Sequence, residues 1–214
     1  MPIACIYIAV LLISNITSTK LVVFWPLTFD GGTLLFPLAY IFGDILTEVY
    51  GYKASRRIIR MWLIASVLMA LLIMFVWRLP SAAEWPYQEA YMNVLWMTPR
   101  IILASVIAYI AWEFSNAVIL AKMKVNDQGR KFWKRALSST IVWQWLDTIL
   151  FIIIAFAGVF PWPVIWTVII SNYIFKLLLE VVLLPITTKI VLYLKQVEWE
   201  DVYDDSTDFS PLRW

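Results

Sequence analysis

The sequence predicts an all-α membrane protein, a six-transmembrane-helix bundle with both termini cytoplasmic. Of its 214 residues 62% are hydrophobic and 15% charged, and mean hydropathy is +0.78. The charges are bunched between apolar runs close to the roughly 20 residues that cross a bilayer. Thirteen Trp, twelve Phe and ten Tyr supply amphipathic rings suited to the headgroup level. A water-soluble enzyme is excluded. The net charge of +2 is too small to imply a nucleic-acid partner, and the lipid bilayer is the partner that composition names. The single Cys5 excludes an internal disulfide and a Cys-based metal site. Without histidine the usual zinc ligand and catalytic base are missing, so neither metal nor cofactor is expected.

The first run, residues 1–19, has no side-chain charge. It lacks the basic region and small-residue cleavage site of a signal peptide and reads as a retained helix. Further runs cover residues 33–50, 58–77, 99–121, 136–158 and 164–194. The last is long enough to tilt or continue into the cytoplasm, and Pro185 is a mechanical reason for a bend. Residues 1–194 thus form the transmembrane domain. Residues 195–214, with Glu198, Glu200, Asp201, Asp204, Asp205 and Asp208, read as an acidic, mobile cytoplasmic tail without chemistry. Lys53, Arg56, Arg57 and Arg60, then Lys122, Lys124, Arg130, Lys131, Lys134 and Arg135, fall on one side. The opposite side offers Lys20 and Arg78, so the basic loops face the cytoplasm. Among the outer segments, residues 20–32 are expected to turn at Asp30-Gly31-Gly32 without forming a full hairpin. Residues 78–97 are expected to lie at the interface as a short amphipathic helix or, as the lesser alternative, a lid.

An ionisable side chain at mid-helix costs around 3 kcal/mol against lipid, so each one inside a span calls for a cavity or a partner. That rule selects Asp44 and Glu48 at i and i+4, Arg100 at a helix mouth, and Glu113 with Asn116. It also selects Gln144 with Asp147, and Asn172, Lys176 and Glu180 four apart with Tyr173 beside them. Ser14 and Asn15 add polarity to the first helix. Glu48 lies near the basic loop and can simply pair with Arg56 or Arg57. The structural alternative for the set is that Lys176 pairs with Asp147 or Asp44 while Asn and Gln side chains join helices. Yet one Lys cannot neutralise Asp44, Glu113, Asp147 and Glu180, and this surplus points to a protonated carboxyl or a polar, partly cationic ligand. Trp143 and Trp145 flank Gln144 and are candidates to stack on a planar heterocycle. Adjacent helical residues point about 100° apart, so at most one lines the site. No phosphate-binding Gly loop, HExxH or GxSxG is present.

Taken together, Ser14-Asn15, Lys20, Phe36-Pro37, Asp44, Glu48, Tyr50-Gly51, Ala54 and Arg56-Arg57 resemble the queuosine precursor transporter family, also described as the vitamin uptake transporter family. Arg100, Asp147, Tyr173 and Lys176 extend the resemblance over nearly the whole chain. The resemblance implies a six-helix importer of the bacterial inner membrane. Its cargo would be 7-deazaguanine bases: 7-cyano-7-deazaguanine, 7-aminomethyl-7-deazaguanine and, in some members, queuine. Asp44, Arg100, Asp147 and Lys176 carry over on matching motif positions, whereas Glu113 and Gln144 rest on depth alone. Family members generally have more chain ahead of the first helix. The expectation is that Asp147 and Lys176 hold the base near mid-membrane, with Asn15, Tyr173 and a Trp around it. Asp44, with Glu48 as a second candidate, would complete the site or couple a proton. The other reading is a substrate-binding membrane subunit driven by a separate energising module; either a single chain or a homodimer suits both.

Overall fold

The computed structural model describes residues 2–126, 132–198 and 202. The order of elements is α1 (Pro2–Thr17), β1 (Leu21–Phe24), β2 (Leu27–Asp30), a 3-10 turn (Gly31–Leu34), α2 (Phe36–Arg78), α3 (Gln88–Leu95), α4 (Thr98–Asn126), α5 (Phe132–Phe156) and α6 (Trp162–Val197). Among the described residues, Phe36–Arg78, Gln88–Ala108 and Trp162–Val197 are long and apolar enough to cross a membrane. Ile3–Thr17 and Gln144–Phe156 are shorter apolar helices. The chain is a multi-pass helical membrane protein.

The expected loop between the second and third runs is absent. Instead α2 continues for 43 residues with a break at Gly51, whose φ of 79° and ψ of 171° lie outside the helix. That region of backbone space is open essentially to glycine alone. Tyr52, Arg56, Ile59 and Trp62 are then buried at helical spacing, so the core-facing stripe resumes the helix immediately and leaves no room for a loop. Across the break Thr47 Oγ1 and Ser55 Oγ lie 2.8 Å apart, sharing a hydrogen bond.

Residues 20–32 also depart from expectation. They form an antiparallel hairpin, with Leu21 opposite Asp30 and Phe24 opposite Leu27, and the chain reverses at a cis Trp25–Pro26 bond. An isolated two-stranded hairpin is marginal, but this one leans on α6. The Thr28 N–H donates to Ser171 Oγ at 3.2 Å, and the Phe29 and Phe175 rings stack at 4.7 Å. Gly31 and Gly32 lie in the 3-10 turn that leads into α2. A Cβ at Gly32 would meet the Ser18 hydroxyl and lie 2.6 Å from the Ser14 carbonyl, so α1 and the turn approach this closely only with glycine there. As expected, the 78–97 stretch holds a short helix, α3, which buries none of its residues. α6 runs on through Pro185 to Val197.

Three apolar clusters organise the described part of the bundle, the smallest of them, Ile45, Val49 and Val191, joining α2 to α6. Ile101, Phe151, Ile152, Ile165 and Ile169 join α4, α5 and α6, while Tyr7, Leu11, Phe36, Leu46 and Trp62 join α1 to both halves of α2. Polarity is turned inward: Asn15, Asp44, Glu48, Gln144, Asp147, Lys176 and Glu180 are buried, whereas Ile64, Leu71, Phe75 and Val182 are exposed. That pattern suits a solvent of hydrocarbon.

Candidate functional site

At the centre, α5 and α6 meet in an ion pair. Lys176 Nζ lies 3.3 Å from Asp147 Oδ2, with the side chains 2% and 8% exposed. The contact is longer than the roughly 2.7–2.9 Å of a tight charge-assisted bond. The ammonium also sits 4.9 Å from the centroid of the Phe36 ring, and Phe36 packs edge-on against Phe151 at 6.0 Å. Aromatic faces attract cations, so the first residue of α2 shares in holding Lys176. Tyr173, three residues before Lys176, meets Trp145 edge-to-face at 4.9 Å, and Trp145 is 37% exposed. Two residues before Asp147 on α5, Trp145 points to a different face of the helix. Gln144 is fully buried, yet neither its Oε1 nor its Nε2 has a hydrogen-bond partner among the described residues; the same holds for Thr148 Oγ1. Residues 144, 147 and 148 share a helix face at i, i+3 and i+4, so these unsatisfied groups lie beside Asp147. Buried polar atoms without partners call for an explanation, and this helix face carries three of the eight found among the described residues.

One turn before Lys176 on α6, Asn172 belongs to a second buried cluster centred on Asp30. The Asp30 carboxylate accepts hydrogen bonds from Ser18 Oγ at 2.7 Å, Thr33 Oγ1 at 2.8 Å and Asn172 Nδ2 at 2.9 Å. It ties the end of α1, the 3-10 turn and α6 together. Arg100 is placed elsewhere: its Nε and one terminal nitrogen donate to the carbonyls of Ile154 at 2.7 Å and Ala157 at 2.6 Å. These carbonyls end α5 without helical partners, and a cation there also complements the helix dipole. Asn15 Oδ1 accepts from Ser105 Oγ at 2.5 Å, joining α1 to α4, while its Nδ2 has no partner among the described residues. Asp44 is buried within the first half of α2. The side chains of Glu113 and Trp143 lie outside the described residues.

The opposite end of the bundle is held at the break in α2. Ending a helix at Gly51 leaves the carbonyls of its last turn without helical donors. Buried Lys124 donates to the Glu48 carbonyl at 2.7 Å, and the Val202 N–H donates to the Val49 carbonyl at 3.2 Å. Lys124 also reaches the Val202 carbonyl at 2.6 Å. Glu48 pairs with Lys195 at 2.8 Å, and the Tyr50 hydroxyl donates to Glu198 at 2.6 Å. Glu198 and Val202, at the start of the tail, thus supply groups the broken helix requires. Glu200, Asp201, Asp204, Asp205 and Asp208 lie outside the described residues.

Of the residues expected at the site, Asp147 and Lys176 meet directly, with Gln144 and Tyr173 on the same helices within a turn. Asn15, Arg100 and Glu48 serve other junctions. Sequence reasoning missed Asp30, Thr33, Ser18 and the placement of Lys124. Only the three-residue spacing of Asp30 and Thr33 offered a local signal.

Buried charge between helices, in a bundle whose outer surface is apolar, defines a polytopic membrane protein that keeps polar chemistry inside. Residues 30–190 match the model of a family described as "Putative vitamin uptake transporter". The chain belongs to that family: it is a transport protein and not an enzyme. It is 27% identical over 175 residues to the "Probable queuosine precursor transporter" of Bacillus subtilis (strain 168), covering 80% of this chain and 76% of that one. It is 26% identical over 146 residues to the "Queuosine precursor transporter" of Escherichia coli (strain K12), covering 66% of this chain and 63% of that one. No solved structure matches.

Proposed function

We propose that the chain imports queuosine precursors across the bacterial inner membrane. The base, 7-cyano-7-deazaguanine or 7-aminomethyl-7-deazaguanine, and queuine as a further candidate, binds between α5 and α6. The observation that carries this reading is the buried Gln144 carboxamide with neither atom paired among the described residues, within a turn of the Asp147–Lys176 pair. A deazaguanine presents N1–H and 2-amino donors beside an O6 acceptor. The Asp147 carboxylate accepts from the donor edge, and Gln144 Nε2 or Lys176 donates to O6. The long contact between Asp147 and Lys176 is exchanged for contacts to the base. A 7-aminomethyl cation finds an acidic interior containing Asp147, Glu180 and Asp44. Tyr173 supplies a ring face from the same helix. Asp44 completes the site or carries the coupled proton.

The reading includes six spans. As one straight helix the 43 residues of α2 would measure roughly 64 Å, twice the ~30 Å of hydrocarbon, which supports taking the break at Gly51 as the junction of two spans, beside α1, α4, α5 and α6. Basic residues gather at one end, at Lys53, Arg56, Arg57, Arg60, Lys124 and Lys195, and the positive-inside rule puts that end and both termini in the cytoplasm.

The test is uptake by the purified chain alone in proteoliposomes, with guanine as competitor and Asp147→Asn as control. Accumulation of the labelled 7-deazaguanine, lost in the variant, is expected. Binding without uptake would favour a subunit that relies on a separate energising module. Equal uptake by the variant would remove Asp147 from the site.

A further inference from the structure

Beyond cargo, we infer that the chain carries a binding site for one anionic phospholipid at the second half of α2, with the headgroup phosphate held by Lys53, Arg56, Arg57 and Arg60. These four side chains, with Met61 and Ile64, line a surface cavity of 410 Å³. Residues 53, 57, 60 and 64 follow one another at i, i+4, i+7 and i+11, so they form a single stripe along the helix. Beyond residue 64 the same stripe continues through Leu68, Leu71 and Phe75, which are 55%, 59% and 62% exposed. In a multi-pass membrane protein such an exposed apolar stripe faces acyl chains. The stripe changes from basic to apolar between Arg60 and Ile64, as a phospholipid changes from phosphate to hydrocarbon.

The cavity is shaped for such a ligand. Arg56 is buried and its guanidinium stacks over the Tyr52 ring, 5.3 Å from the centroid, which fixes one wall. Lys53 and Arg57 are exposed and have no carboxylate within ion-pair distance among the described residues. Arg60 lines the cavity together with Met61 and Ile64. Basic pockets at the ends of membrane helices bind anionic headgroups in this way, at about fivefold in affinity for each Lys or Arg near the surface. A soluble phosphate would use the cations alone; a phospholipid also uses Met61 and Ile64. The apolar continuation therefore selects the lipid.

The test uses the purified full chain in mild detergent, with lipid binding followed by native mass spectrometry. Dioleoyl phosphatidylglycerol should bind one per chain and dioleoyl phosphatidylcholine should not. Lys53→Gln with Arg57→Gln, both at exposed positions, should weaken phosphatidylglycerol roughly 30-fold, whereas Arg78→Gln at the other end of α2 should leave it unchanged. In the unaltered chain, about 0.5 M salt should weaken binding by screening the headgroup. Ile64→Asp should weaken phosphatidylglycerol while leaving the four cations in place. Full binding by the Lys53/Arg57 double variant would overturn the inference. So would inorganic phosphate displacing the lipid at equal concentration, which would make the site one for a soluble anion. None of these readouts depends on cargo transport, so they stand apart from the import test.

Discussion

Replacing Gln144 with Met should make the protein more stable and the transporter worse. The side chains are close in size, so packing in α5 changes little. What changes is the carboxamide, fully buried with both Oε1 and Nε2 unpaired among the described residues. Leaving such a group desolvated costs about 1–3 kcal/mol, and an apolar thioether removes that cost. At roughly 2–4 °C per kcal/mol for a chain of this size, Gln144→Met should melt about 2–12 °C higher in a scanning fluorescence assay without ligand. With the 7-deazaguanine bound the sign reverses. The base would then keep an unpaired donor or acceptor where the carboxamide had met it, a loss of about 3 kcal/mol or roughly a hundredfold in Kd. Titration of the ligand against intrinsic Trp fluorescence measures that loss. A variant that melts below the parent would show that Gln144 is held by a structural bond. One that melts higher yet binds as before would show that the carboxamide does not touch the base.

The central pair should behave as a unit: Asp147→Asn or Lys176→Met alone strands a buried partner and should cost about 3–5 kcal/mol. The double variant should lose less than the sum of the two, as a thermal-melt double-mutant cycle would measure; simple additivity would mean that the 3.3 Å contact carries no coupling. Gly51→Ala should cost about 1–3 kcal/mol because φ 79° and ψ 171° suit glycine alone. Its melting temperature should fall and its uptake with it, while an unchanged melt would mean that the chain accepts a continuous helix there.

Much of this architecture is legible in the sequence because hydrocarbon as solvent leaves long apolar runs, and those runs reappear as α1, both halves of α2, α4, α5 and α6. Asp147 and Lys176 were legible too, since a charge deep in a span calls for a partner on a neighbouring one. Asp30 was not. Of its three partners only Thr33 is close in sequence, while Ser18 and Asn172 lie 12 and 142 residues away, and an Asp before Gly-Gly has every local mark of a turn. The hairpin was obscured for a similar reason: its strands are four residues each, and what favours them is α6. Arg100 was found at its helix mouth, but its acceptors are backbone carbonyls, which leave no trace in a sequence. The same holds for the start of the tail, which docks because a broken helix exposes carbonyls and not because of its acidity.

α6 connects these parts, and its spacing decides which of them feels the cargo. Asn172 reaches Asp30, Lys176 reaches Asp147 and Lys195 reaches Glu48. At 1.5 Å per residue the first two lie about 6 Å apart and the last two about 28 Å apart, close to the full hydrocarbon thickness. A ligand that separates Lys176 from Asp147 therefore acts within one helical turn of the Asp30 cluster. It reaches the Glu48 cluster only through rigid elements. Lys176 also rests on Phe36, the first residue of α2, and the first half of that helix ends at Gly51, where Glu48 and Val49 meet Lys124, Lys195 and Val202. The first half of α2 thus joins the pair, through Phe36 at one end, to the glycine break and the Glu48 contacts at the other.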